Sequence, residues 1–93
     1  MTEDPCYRRG AVLWRQTYDR VLILLPSSGQ FITLEATGRD LWAALEEPGT
    51  VHDLACRLAA DFGAPVAQIA SDITPVIEEL DRRGAVVATG RRP

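Results

Sequence analysis

The hydrophobic and polar positions of this chain change period once, near residue 36. Before that point apolar residues alternate with polar ones or run together in short stretches, and after it they recur every three or four residues. From Ala11 to Gln16 the alternation places Val12, Trp14 and Gln16 on one face of a strand and Leu13 and Arg15 on the other. Thr17-Tyr18-Asp19-Arg20 supplies a polar turn. The five aliphatic residues Val21 to Leu25, stopped by Pro26, predict a strand buried on both faces. Pro26-Ser27-Ser28-Gly29 is a turn cluster, because proline fixes φ and glycine tolerates positive φ. Gln30 to Leu34 then returns antiparallel, completing a three-stranded meander.

The second half predicts three helices. Leu41, Trp42 and Leu45 share one face of a helix that starts at Ala36 or Thr37 and ends before Pro48-Gly49. Thr50 is placed as the N-cap of a second helix, with Asp53 at the capping-box position, Val51, Leu54, Ala55, Leu58 and Phe62 as its apolar stripe, and Gly63 as a left-handed stop. A third begins near Pro65. Its stripe is Val66, Ile69, Ile73, Val76, Ile77 and Leu80, and Pro75 inside it should kink or interrupt the helix. Ala85 to Ala88 offers a short final strand. The fold class is α+β: a three-stranded antiparallel sheet followed by a three-helix, winged-helix-like bundle with a possible short C-terminal strand. Residues 1–10 read as a flexible arm, 11–88 as the domain and 89–93 as a tail.

Charge changes this picture by its distribution. The net value is only -3, yet all ten basic residues are arginines, gathered toward the two ends, and 35–62 is acidic. No apolar run approaches the roughly 18 residues of a membrane span, and the acidic start Met1-Thr2-Glu3-Asp4-Pro5 lacks the order of a signal peptide. A cytoplasmic protein without membrane contact is expected. Cys6 and Cys56 are far apart in sequence and His52 is the single histidine, so no closely spaced set of three or four metal ligands can be assembled. Both cysteines read as reduced thiols.

Catalytic patterns are missing: Ser27 and Ser28 lie in a turn without GxSxG spacing, and no phosphate-binding glycine motif occurs. Neither an enzyme nor a cofactor is expected. A winged-helix DNA-binding domain is the competing reading of three helices and a strand. Its third helix, however, offers Asp72, Glu78, Glu79 and Asp81 against Arg82 and Arg83 at its end, which repels phosphate. No nucleic-acid partner is expected.

From about Leu13 to Val87 the chain resembles the PqqD-like family of peptide-recognition domains. The resemblance is carried by Val21-Leu22-Ile23-Leu24-Leu25, Gly29-Gln30-Phe31-Ile32-Thr33-Leu34, Thr37-Gly38 before Leu41-Trp42-Ala43-Ala44-Leu45, Thr50-Val51-His52-Asp53-Leu54, Asp61-Phe62-Gly63, and Asp72-Ile73 leading to Leu80-Asp81-Arg82-Arg83-Gly84. Glu35 departs from the asparagine the family often has there. The resemblance implies binding of the leader segment of a ribosomally made precursor peptide. At this length it is most similar to the small leader-binding proteins of lasso-peptide pathways, which deliver the leader to a separate leader peptidase of cysteine-protease type. The sibling reading is a peptide chaperone for a radical SAM enzyme of the quinone-cofactor pathway.

In such a domain an edge strand takes up an extended peptide through its free backbone groups. Gln30, Phe31, Ile32, Thr33, Leu34 and Glu35 are the candidate edge, with Ile32 and Leu34 turned toward the helices to floor an apolar groove. Ile69, Ile73 and Val76 are expected as the opposite wall, and Asp72 and Glu79 at the rim, facing a basic leader residue. Trp14 and Trp42 are expected in the core.

Overall fold

A computed structural model describes residues 4–89. Five strands and three helices follow in the order β1 (Cys6–Arg9), β2 (Leu13–Gln16), β3 (Arg20–Leu24), β4 (Phe31–Glu35), α1 (Thr37–Ala44), α2 (Val51–Phe62), α3 (Val66–Arg82) and β5 (Val86–Thr89). The fold is α+β. The antiparallel sheet β2-β3-β4 is the predicted meander, with Trp14 opposite Ile23 and Ile23 opposite Ile32. Its second turn closes on Leu25, whose N–H donates to Gln30 O at 2.8 Å and whose carbonyl accepts from Gly29 N at 2.9 Å. Gly29 has φ 73°, the left-handed conformation expected of glycine.

The helices cover one face of this sheet. Val21, Ile23 and Leu25 are buried against Leu41, Trp42 and Leu45 of the α1 region, Leu54 and Leu58 of α2, and Ile69, Ile73, Ile77 and Leu80 of α3. The expectation that Val21 to Leu25 is buried on both faces is therefore corrected: Leu22 and Leu24 are only half-buried, because no helix lies over the outer face. Leu13 and Phe31 sit on that outer side, 73% and 67% exposed.

Residues 6–9 correct the picture of a loose arm over 1–10. They form β1, paired antiparallel with β5 from Cys6 opposite Thr89 to Arg9 opposite Val86. The buried Tyr7 anchors this strand, and its N–H and carbonyl exchange bonds with Gly49 at 2.8 and 3.0 Å. The final strand is thus real but pairs outside the three-stranded sheet. Residues 1–3 of the expected arm and 90–93 of the expected tail lie outside the described residues.

Trp42 is core as expected, whereas Trp14 is 41% exposed. Strand β2 is the sheet edge remote from β4, so Trp14 caps the core instead of entering it. Its ring meets Trp42 edge-on at 5.7 Å, and the Arg9 guanidinium lies 4.7 Å from the Trp14 centroid and 5.2 Å from that of Trp42. Arg9 also donates to the Trp42 carbonyl from Nη2 at 2.6 Å.

Helix termini follow the sequence. Thr50 accepts from Asp53 N–H and Asp53 accepts from Thr50 N–H, a complete capping box, and Gly63 ends α2 with φ 70°. Pro65 stands at the N-cap of α3 with extended backbone, one residue before the helix proper. Pro75 does not interrupt α3, which runs unbroken through 17 residues. It forfeits the bond to the Ser71 carbonyl, but Ser71 and Pro75 are both exposed and water can serve that carbonyl. The opposite side, Ile69, Ile73, Ile77 and Leu80, is packed into the core and holds the helix on either side of the break in bonding. Among the described residues no helix is long and apolar enough to cross a membrane.

Candidate functional site

Strand β4 has one neighbour only, so its other side is an open edge. Which backbone groups point outward follows from the turn. Leu25 and Gln30 are bonded across the hairpin, and antiparallel pairs alternate between bonded and non-bonded partners. Ile32 and Leu34 therefore spend their N–H and C=O groups on Ile23 and Val21, while those of Phe31, Thr33 and Glu35 face away from the sheet. Gln30 falls outside this outward row: its carbonyl accepts from Leu25 and its N–H donates to Ser28 Oγ at 3.2 Å.

The same alternation sorts the side chains. Phe31, Thr33 and Glu35 are exposed on the outer face, and Ile32 and Leu34 are half-buried against the core. Glu35 pairs across the strand with Arg20, 3.5 Å away, on that outer face. Arg20 also donates from Nε to Asp19 Oδ1 at 3.1 Å, which with the Asp19 and Glu35 charges raises its pKa further.

Between this edge and α3 lies a groove of about 540 Å³, lined by Ile32, Thr33, Leu34, Pro75, Val76, Glu79, Leu80 and Arg83. The expected floor is there, and of the expected wall Val76 is there. Ile69 and Ile73 do not line it; both are packed within the core. The apolar stripe of the 17-residue α3 is wider than one contact surface: the helix packs chiefly on α2, and Pro75, Val76, Glu79 and Leu80 in its C-terminal half border the groove. Pro75, Leu80 and Arg83 take the missing places. Pro75 was marked in the sequence by its breach of helical pattern, and Arg83 by its four-residue spacing from Glu79; neither signal says which neighbour the residue meets.

The rim is polar but not simply acidic. Glu79 is paired with both Arg82 and Arg83, and of these two guanidinium groups Arg83 lines the groove, so the carboxylate there is matched by a positive charge. Asp72 is exposed one helical turn before Val76, on the same side of α3 and beyond the groove lining.

Among the described residues no three or more His, Cys, Asp or Glu side chains gather into a metal site. Both cysteines are free thiols; Cys56 is exposed, with Sγ 3.5 Å from His52 Nε2.

The family model for coenzyme PQQ synthesis protein D (PqqD) matches residues 20–86, which include β4, α3 and therefore both sides of the groove. No curated protein matches the chain. Among solved structures, TbiB1 in complex with the TbiA(beta) leader peptide is similar, with a TM-score of 0.77 over 89% of this chain and 98% of that one. Its 19% identity makes the likeness one of fold.

Proposed function

Because the chain belongs to the PqqD family, we propose that it recognises the leader segment of a ribosomally made precursor peptide, taking it up as a fourth strand along β4. The observation that carries this reading is the open edge itself. Outward N–H and C=O groups of Phe31, Thr33 and Glu35 stand beside an apolar groove, the combination an extended peptide needs. TbiB1, which shares the fold, has been solved with a leader peptide.

Backbone pairing supplies adhesion that is indifferent to sequence, and the groove supplies choice. A strand added beside β4 turns alternate side chains toward Ile32, Leu34, Pro75 and Val76, so the leader presents apolar residues at i and i+2 there. At the rim Arg83 meets a leader carboxylate by exchanging it for Glu79, and Asp72, beyond the groove lining and one turn before Val76, meets a cation. The captured leader is then presented to a separate leader peptidase of cysteine-protease type in lasso-peptide maturation, in the cytoplasm. The family description favours a second reading, in which the same edge serves a radical enzyme of quinone-cofactor synthesis.

Calorimetric titration with the leader peptide encoded beside the gene tests the binding step, with duplex DNA as control. Saturable leader binding and inert DNA are expected. Thr33→Pro removes an outward N–H without touching the β3 ladder; it should abolish binding while far-UV dichroism stays that of the parent. A Thr33→Pro protein that binds the leader as the parent does contradicts the edge.

A further inference from the structure

Helix α2 carries a pair of side chains that the groove does not use. His52 and Cys56 are four residues apart, both exposed, with Nε2 and Sγ 3.5 Å apart. The turn that bears them is held at its start by the Thr50–Asp53 capping box and farther along by the left-handed Gly63, so the helix that spaces the two side chains is fixed at both ends. We infer that His52 and Cys56 form a two-residue chelate for a borderline-soft divalent cation of the zinc type.

The geometry is that of the ion's own coordination shell. A zinc ion about 2.3 Å from a thiolate and about 2.0–2.1 Å from an imidazole nitrogen, at a tetrahedral angle, separates the two ligand atoms by roughly 3.5 Å. The ligands already stand at that bite. Thiolate with imidazole also selects by class, since magnesium and calcium prefer all-oxygen shells. On binding, the Cys56 thiol releases its proton to solvent as the metal–sulfur bond forms, and His52 offers the Nε2 lone pair while its proton resides on Nδ1.

The site is open. Asp53 is next in sequence, but its carboxylate accepts from Thr50 N–H at 3.0 Å, and no third ligand joins the pair among the described residues. The remaining positions are filled by water or by a ligand from a second molecule, so the ion is held more weakly than in a closed four-ligand site. The plain alternative is a thiol–imidazole hydrogen bond with no affinity for metal.

The full chain is titrated with Cd²⁺, reading thiolate-to-metal charge-transfer absorption, and with Zn²⁺ against a chromophoric chelator. One saturable equivalent is expected. Cys56→Ser removes the absorption band, His52→Ala lowers affinity by at least the ~10-fold that losing an indirect metal partner costs, and Cys6→Ser changes neither. Absence of saturable binding by the parent protein overturns the proposal whether or not any variant folds. So does a band that survives Cys56→Ser, a band lost with Cys6→Ser, or unchanged affinity in His52→Ala. Far-UV dichroism accompanies each variant, and both positions being exposed, the helical signal should be that of the parent.

Discussion

Ala36 joins β4 to α1 with φ 52° and ψ -123°, the single non-glycine residue with positive φ among those described. An L side chain is strained in this region by about 1–3 kcal/mol. The strain sits directly after the proposed peptide-binding edge and sets the angle at which the chain leaves it. Glycine carries no Cβ to clash but gives the unfolded chain more freedom, which offsets part of the gain. Ala36→Gly should therefore stabilise the fold by about 1 kcal/mol net, read from urea unfolding. A destabilised Ala36→Gly protein would show that the turn is not strained as its dihedrals imply.

Asp53 illustrates the same scale in electrostatic terms. Its carboxyl is held below the usual carboxylate range, first by the Thr50 N–H it accepts, with the Thr50 side chain, Arg57 and His52 acting in the same direction. A carboxyl with a depressed folded-state pKa contributes stability above its unfolded value of about 3.9 and loses it as pH falls through the lower folded value. The parent should lose helix stability on acidification below about pH 4, and Asp53→Asn should flatten that part of the pH profile. Equal acid dependence in parent and variant would count against the capping box as its source.

At the scale of elements, α3 divides its labour along its length. Ile69, Ile73 and Ile77 fasten it to the core, and Pro75, Val76, Leu80 and Arg83 border the groove. Pro75 is locally unfavourable, since a proline inside a helix costs about 3 kcal/mol relative to alanine, yet its rigid ring is part of the groove wall. Pro75→Ala should accordingly raise the unfolding midpoint and weaken leader binding at the same time. A variant that is more stable and binds equally well would remove Pro75 from the wall. The helix caps were legible because they depend on neighbours in sequence: Thr50, Asp53 and Gly63 each perform the role their spacing gives them. Strand β1 was not, since Arg8 and Arg9 disguise it as solvated chain and its partners Val86 to Thr89 lie at the other end of the sequence. The groove wall was half legible for a related reason. A helical stripe reveals which residues are apolar, and only packing decides that Ile69 and Ile73 stay within the core while Leu80 also reaches the groove.

For the whole molecule, the helices close one face of the sheet and leave an edge. Of the arginines near the two ends of the chain, Arg82 and Arg83 converge on Glu79 at the groove, and Arg9 lies against the Trp14 ring. What the fold leaves free is the outward side of β4, with bonded and unbonded residues alternating along it. That alternation gives the most direct test of the central claim. Residue-resolved amide hydrogen exchange is measured with and without saturating leader peptide. Ile32 and Leu34 should be protected in both states, while Phe31, Thr33 and Glu35 should exchange freely alone and become protected only in the complex. A leader that binds without slowing exchange at those three amides would contradict strand addition along β4.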